Sequence, residues 1–314
     1  MQVLKETDVA DQKPGVGGRL VRRAINAVAR PVGYVMLRAH HGVSHPKARS
    51  LLAGTFGPDK DRLLIVDAQE TFVVNMRDQV IGRDLYAHGH FDFDKFVRVI
   101  DLLGGKVDLL IDVGANIGTI SIPAVNRGLA ARAIAIEPDP RNCRLLRANI
   151  ALNGLDQRMT VHEAALGAEE GTLELELAED NFGDHRIKVS SDGGIYNEDR
   201  RASVTVKGTT LDAVCPSGEG ALIWIDTQGY EGFVLEGGGR LLAGQPPLAL
   251  EFWPYGMSRA GSYDRLKAAI GHYGGFVDLA RPGQRRPISD LGALWQEVGV
   301  TGEHTDILVT RAPV

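Results

Sequence analysis

The sequence has 314 residues, 44% of them hydrophobic and 24% charged, which allows a sizeable buried core and excludes a disordered chain. Its net charge of −5 is uneven, because residues 1–60 carry ten Lys/Arg and only four Asp/Glu. Residues 61–314 are therefore acidic overall, which argues against nucleic acid as a substrate. Two cysteines cannot build a disulfide framework, and no apolar run approaches the roughly 20 residues that span a bilayer. With no apolar core of a secretory signal near the start, a cytoplasmic location is expected.

Residues 1–60 are predicted to form a basic extension that contains an amphipathic helix over residues 19–38. Pro31 is expected to kink or end this helix. A basic amphipathic helix suits peripheral contact with the inner face of a membrane. Packing on the main domain and docking to a partner are the alternatives.

Residues 61–105 are predicted to precede the core as a hairpin and a helix. The hairpin strands are expected at 63–66 and 71–74, and the helix at 91–103, before Gly104-Gly105. Residues 106–314 then alternate between strands and helices, which indicates a mostly parallel α/β sheet with helices on both faces. The predicted strands are at 107–113, 132–136, 159–164, 221–225, 248–252, 276–279 and 306–309, and the helices include 117–127, 140–152 and 263–272. Two further runs, 171–177 and 202–207, alternate with period two.

A glycine-rich turn follows the first of these strands, in the segment Leu109–Gly118. Gly114 and Gly118 are expected to let the backbone pass close to a ligand. The pattern is G-x-N-x-G, with Asn116 at its centre, whereas the dinucleotide fingerprint is G-x-G-x-x-G. Asp112 would repel a pyrophosphate but would attract the ammonium group of S-adenosylmethionine. The turn therefore favours the methyl donor over NAD.

A second acid, Glu137, ends the next strand 23 residues after Gly114. A carboxylate at this offset accepts hydrogen bonds from ribose hydroxyls in either cofactor. The ordered series of strand, acid, glycine turn, helix, strand and acid predicts a nucleoside cofactor site.

These segments resemble the FkbM family of methyltransferases. The resemblance covers about residues 63–253 and rests on Ile111–Gly118, Ile136–Pro140, Asn149-x-x-Leu-Asn153, Thr209–Asp212, Ile225–Glu231, Val234–Gly237 and Leu250-Glu251. It implies a Rossmann-like class I fold with a seven-stranded sheet, S-adenosyl-L-methionine as cofactor, and methyl transfer to hydroxyls of sugars, glycolipids or other natural products. Trp224 departs from the family, which commonly has a lysine there.

The predicted cofactor-binding residues are drawn from the strand ends and the segments that follow them. They are Asp112, Gly114, Ala115, Asn116, Gly118, Glu137, Pro138, Asn142, Glu163, Ala164 and Asp226.

Methylation of a hydroxyl needs a group that takes its proton. Asp226, at the end of a strand, is the first candidate for this general base, and a helix cap or positioning acid is the alternative. His185, within the polar segment 179–200, is the second candidate. Glu231 and Glu251 are further candidates, and the aromatic run after Glu251 could line a substrate pocket or belong to the core. No close-spaced ligand motif predicts a metal site.

Two other functions remain open at this point. One is an NAD-dependent oxidoreductase on the same kind of fold, and the other is a binding module without turnover. The expected partner is a small-molecule, glycan or lipid-linked hydroxyl acceptor, and self-association is left open.

Overall fold

An eight-stranded sheet organises the protein, whose computed structural model describes residues 35–38, 62–215 and 217–311. The strands in these ranges are β1 Val35–Arg38, β2 Arg62–Asp67, β3 Thr71–Asn75, β4 Val107–Val113, β5 Ala130–Glu137, β6 Met159–Glu163, β7 Ala165–Leu166, β8 Gly171–Leu177, β9 Arg186–Ile187, β10 Ala202–Thr209, β11 Ala221–Ile225, β12 Leu248–Phe252, β13 Gly275–Asp278, β14 Arg285–Pro287 and β15 Thr305–Thr310. The helices are α1 Ile81–His88, α2 Phe93–Leu102, α3 Ser121–Asn126, α4 Pro140–Leu152, α5 Leu211–Val214, α6 Glu231–Glu236, α7 Gly239–Leu242, α8 Pro254–Ala260, α9 Tyr263–Ile270 and α10 Leu291–Val298.

The strand order of the large sheet is β14-β13-β15-β12-β11-β4-β5-β6. The five strands from β12 to β6 are parallel, whereas β15 runs antiparallel to both β12 and β13. The predicted α/β class with a mostly parallel sheet is confirmed. Strand β14 adds an eighth, edge strand to the seven expected; at three residues it is too short for a periodic pattern to reveal.

Alternate residues of β4 enter two separate hydrophobic layers, because successive side chains of a strand point to opposite faces. Leu110 packs into one layer with the buried side chains of α1 and α2, while Leu109 and Ile111 pack into the other with α6, α9 and α10. The hairpin β2–β3 and the two helices after it thus cover one face of the central sheet. They share its core rather than standing apart from it.

Two asparagines, one in the last turn of α4 and one directly after it, fasten the hairpin to the sheet layer. Asn149 Oδ1 accepts the N–H of Val73 at 2.6 Å, and Asn153 Oδ1 accepts the N–H of Thr71 at 3.0 Å. Asn153 Nδ2 also donates to the Thr71 carbonyl at 2.8 Å. The motif Asn149-x-x-Leu-Asn153 therefore satisfies the free edge of β3, which explains its spacing structurally.

The predicted helix over residues 19–38 is wrong at its C-terminal end, where β1 pairs in parallel with β2. Pro31 and Gly33 precede this strand, and both residues disfavour continuation of a helix. Residues 19–34 lie outside the described ranges. Helix α3 also begins four residues later than expected, because a turn occupies the residues between Asn116 and Ser121.

The chain crosses from β6 back to β11 on the other side of β4, so the strand order reverses between β4 and β11. Ligands in open α/β sheets bind outside the carboxyl ends of the strands at such a reversal. The smaller sheet, of order β7-β10-β8-β9, follows β6 in the chain and contributes to the walls of the cleft there. The topology itself locates the candidate site.

Candidate active site

The glycine turn after β4 is shaped by the neighbouring strand end. Gly114 has a φ of +87°, and a Cβ on it would lie 1.9 Å from the carbonyl oxygen of Asp226. A Cβ on Gly118, whose φ is +93°, would meet the side chains of Ile122 and Leu146 below 3 Å. Protein atoms, not only a ligand, therefore require these glycines, which corrects the reason expected from the sequence.

Asp112 ends β4 at the bottom of the cleft with 1% of its surface exposed. Its Oδ2 has no hydrogen-bond partner. Burial raises the pKa of this carboxyl to about 6, against the side-chain and backbone donors of Ser121, which lower it. A buried carboxylate oxygen without a partner is costly unless a ligand supplies a donor or a positive charge.

Glu137 lies at the end of β5, beside the glycine turn. Its Oε2 accepts the N–H of Asn116 and its Oε1 accepts the N–H of Asp139, both at 2.8 Å. Oε1 also accepts from Asn142 Nδ2 at 3.5 Å, so Oε2 is the oxygen that keeps a further acceptor position. Burial raises the pKa of Glu137 to about 8 despite these bonds. The carboxyl is held in place, and its Oε2 can still accept from a ribose hydroxyl.

The described residues around this turn enclose one cleft that collects most of the predicted cofactor-binding set. Those that line it are Asp112, Gly114, Ala115, Asn116, Glu137, Pro138, Ala164 and Asp226.

Three predicted cofactor residues lie outside the lining. Gly118 is packed against core side chains, as described above. Asn142 is buried behind Glu137, and its Nδ2 donates to the carbonyl of Phe182 at 3.3 Å. The Glu163 carboxylate points away and pairs with Arg147 at 2.7 Å. Asn142 therefore supports the wall of the cleft from behind, and the Glu163 side chain does not contribute to the cleft.

Among the four candidate catalytic residues, Asp226 has its carboxyl open to the cleft. Its Oδ1 accepts from Gln228 Nε2 at 2.7 Å. Poor solvation, with the charges of Asp306 and Glu231, raises the pKa of Asp226 to about 7, against the hydrogen bond from Gln228. This value suits a general base near neutral pH.

Glu231 and Glu251 do not line the cleft. Glu231 is fully buried, and its Oε1 accepts the N–H groups of Thr227 and Gly229 at 3.0 and 3.2 Å. It therefore shapes the loop behind Asp226. Glu251 Oε2 accepts from Gln228 Nε2 at 3.1 Å, and burial raises the pKa of Glu251 well above its ordinary value. Neither placement supports direct proton transfer with an acceptor.

His185 lines the cleft, but both of its ring nitrogens are engaged by protein groups. Nδ1 accepts the N–H of Ala178 at 3.0 Å, and Nε2 lies 3.3 Å from Asp139 Oδ2 and 3.5 Å from Arg141 Nη2. This pattern places the ring proton on Nε2 and leaves no lone pair for a substrate. The expectation that His185 serves as an alternative base is therefore not supported by its geometry.

The segment 179–200 is fastened to the body rather than forming a solvated turn. Arg186 is buried over the ring of Trp253 at 4.8 Å, and its Nη1 lies 3.4 Å from Glu198 Oε1. Tyr255 Oη donates to the same oxygen at 2.9 Å. The aromatic run after Glu251 thus anchors this segment and does not line the cleft. At the other end, the Phe182 carbonyl accepts from Asn116 Nδ2 at 2.8 Å.

Sequence reasoning missed a charged pair that also lines the cleft. Lys95 on α2 lies 2.9 Å from Asp306 Oδ2 and 3.0 Å from Asp92 Oδ2. Trp224, where the resemblance would place a lysine, also lines the cleft. No local motif marks Lys95 or Asp306, because only the fold brings them together.

Within the described ranges, no group of three or more His, Cys, Asp or Glu side chains is arranged to hold a metal ion. No helix there combines the length and apolar character needed to cross a membrane.

Comparison with known proteins identifies the domain around this cleft. The model of the methyltransferase FkbM domain matches residues 112–257. This segment is a methyltransferase FkbM domain. Together with the sheet order, it makes the fold that of the class I methyltransferases. The chain has no match among curated proteins.

Several solved structures resemble the chain distantly. Methyltransferase FkbM from Methylobacillus flagellatus KT is 16% identical, with a TM-score of 0.36, and the match covers 65% of this chain and 43% of that one. The B. subtilis M1A22 tRNA methyltransferase TrmK is 13% identical over 69% of this chain and 65% of its own, with a TM-score of 0.37. An O-methyltransferase from Bacillus cereus in complex with SAH is 14% identical over 69% and 79%, with a TM-score of 0.35. At such values these likenesses do not bear on the activity.

Proposed function

We propose that the protein is an S-adenosylmethionine-dependent O-methyltransferase that acts on a hydroxyl of a sugar, glycolipid or other natural product. The observation that carries the proposal is the unpartnered, buried Oδ2 of Asp112 in the same cleft as the open carboxyl of Asp226. The Asp112 oxygen fits the ammonium group of the donor, and Glu137 Oε2 has an acceptor position left for a ribose hydroxyl. A dinucleotide would instead bring a pyrophosphate toward Asp112.

The chemistry assigned to the cleft is a single methyl transfer. S-adenosylmethionine, when bound, supplies an electrophilic methyl group that the acceptor oxygen takes as the methyl–sulfur bond breaks. Asp226 would accept the proton that the hydroxyl loses. With its pKa raised to about 7, this carboxyl is a stronger base than an ordinary aspartate yet still substantially ionised at neutral pH.

The charge of the cleft supports an acceptor that is not a phosphate polymer. Five acidic side chains line it, against Lys95 and Arg186 as the basic residues. A surface built to bind nucleic acid carries the opposite balance. This favours a neutral hydroxyl acceptor.

The test uses the purified full chain with methyl-labelled donor and three acceptor panels: free sugars, glycolipid extracts and RNA. We expect label in a sugar or glycolipid fraction. Asp226→Asn should keep donor binding by calorimetry while losing transfer by about 100-fold or more. Asp101→Asn, on an exposed carboxyl of α2, is the matched control. Labelling of RNA alone, binding of NAD in preference to the donor, or full activity in Asp226→Asn would overturn the proposal.

A further inference from the structure

Three carboxyl groups form a row across neighbouring strand ends of the large sheet. Ile225 pairs with Leu250, so Asp226 and Glu251, each one residue further on, stand side by side. Glu251 in turn pairs with Asp306 on β15. Adjacent strands lie about 4.8 Å apart. Three acids at this spacing repel one another strongly when all are ionised.

Two side chains reduce the repulsion within this row of carboxyl groups, one from each end. Gln228 donates from Nε2 to both Asp226 and Glu251 and adopts a left-handed φ of +55° to do so. Lys95 reaches Asp306 at 2.9 Å from the other side of the cleft. Its neighbour Asp92, which contacts the same ammonium, also has a left-handed φ, of +53°. Such conformations are unfavourable for residues other than glycine and persist where the surroundings impose them.

We propose that Lys95 is a positioning residue for methyl transfer, which neutralises Asp306 so that Asp226 remains available as the proton acceptor. The inference rests on the proposed function of this cleft. Lys95 precedes the matched segment 112–257 and Asp306 follows it, so parts of the chain outside that segment set the charge at its proposed base.

The alternative is a purely structural ion pair that ties α2 to β15. The two roles differ in their effect on ionisation. Lys95 lowers the pKa of both Asp226 and Glu251, whereas the Asp306 charge raises them. Removal of Lys95 takes away the charge that lowers these pKa values. It also leaves the charge of Asp306, which raises them, without a counter-ion. Both consequences raise the pKa of Asp226. The charged and titratable groups near Asp226, taken from every element around the cleft, are Lys95, Asp92, Asp112, Glu137, His185, Arg186, Tyr230, Glu231, Glu251, His304 and Asp306.

The experiment compares Lys95→Met, which keeps the aliphatic stem, with Lys95→Arg, which keeps the charge. Lys267→Met, at an exposed ion pair on α9, controls for loss of a lysine elsewhere. We expect the acidic limb of the kcat/KM profile to move to higher pH by about one unit or more in Lys95→Met. It should stay within about 0.3 units of the wild type in the other two variants. A merely structural role would lower the melting temperature of Lys95→Met and leave the profile unchanged, which would overturn the proposal.

A second measurement separates this inference from the proposed function. Carboxyl carbon NMR follows the titration of Asp226 directly, with Asp226→Asn identifying its signal. If the wild type transfers no methyl group at any pH, the proposed function fails, but the titration still tests Lys95. An Asp226 midpoint that is the same in the wild type and in Lys95→Met would refute the role of Lys95 regardless of activity.

Discussion

Replacement of Asp112 by asparagine should stabilise the free protein at neutral pH and weaken donor binding. Burial raises the pKa of Asp112 from 3.8 to about 6. Because the folded-state pKa is raised, ionisation opposes folding: the cost is absent below pH 3.8, grows between pH 3.8 and about 6, and is fully present above that. At about 1.36 kcal/mol per pKa unit, it amounts to about 3 kcal/mol at pH 7.5 and about 1 kcal/mol at pH 4.5.

Urea unfolding of the wild type and Asp112→Asn at pH 4.5 and 7.5 measures this cost. The difference in unfolding free energy should move by about 2 kcal/mol in favour of the variant between the two pH values. Any pH-independent effect of the new amide cancels in this comparison. Calorimetry should show donor affinity reduced about 30-fold or more, as expected for loss of a buried counter-charge. A stability difference that does not change with pH, or unchanged donor affinity, would refute the reasoning.

Two further predictions concern the glycine turn and Glu137. Gly114→Ala should lose about 2–5 kcal/mol in urea unfolding, because its Cβ would strike a backbone carbonyl at 1.9 Å and its φ is positive. Gly128→Ala, which has a φ of +72° and open space, should lose only about 1 kcal/mol, and equal losses would contradict this account. Since the pKa of Glu137 is raised to about 8, donor affinity should weaken as the pH falls from 9 to 6, by at most about tenfold per unit. In Glu137→Gln, the same calorimetric series should lack the part of this pH dependence that comes from Glu137. If donor affinity changes with pH equally in both proteins, Glu137 does not contribute to donor binding.

Local signals allowed parts of the fold to be predicted to the residue. Helix α4 begins and ends where expected, because Asp139 accepts the N–H of Arg141 at its N-terminus and Pro140 occupies its first turn. Strand β4 was also predicted to the residue, since its apolar run is bounded by Gly104-Gly105 and Gly114. Helix α1 was not predicted. Its N-cap residue Val80 provides no side-chain cap, and Asp78 Oδ1 instead accepts the N–H groups of Val80 and Ile81, both at 3.0 Å. Boundaries were predictable where the capping residue stands in its usual position next to the helix.

The candidate site divides in the same way. The donor half, from Asp112 to Glu137, is contiguous in sequence and carries spacing that identifies a nucleoside site. The other half is assembled from Lys95, Asp226 and Asp306, which lie far apart in the chain and meet only through the sheet order. His185 shows the opposite failure: its residue type suggested a base, but both nitrogens are engaged by protein groups. Whether a side chain has a donor or acceptor left for a substrate depends on its protein partners, which sequence spacing does not reveal.

The contact between Gly114 and Asp226 links these two halves. The Asp226 N–H donates to the Val113 carbonyl at 2.9 Å, and its own carbonyl fills the space where a Gly114 side chain would stand. The turn proposed to hold the donor and the residue proposed to take the proton are therefore fixed to each other by backbone. This arrangement lets the surrounding segments change the charge and shape of the acceptor side without disturbing the distance between donor and base. Lys95 and Asp306, both outside residues 112–257, are where such changes would act.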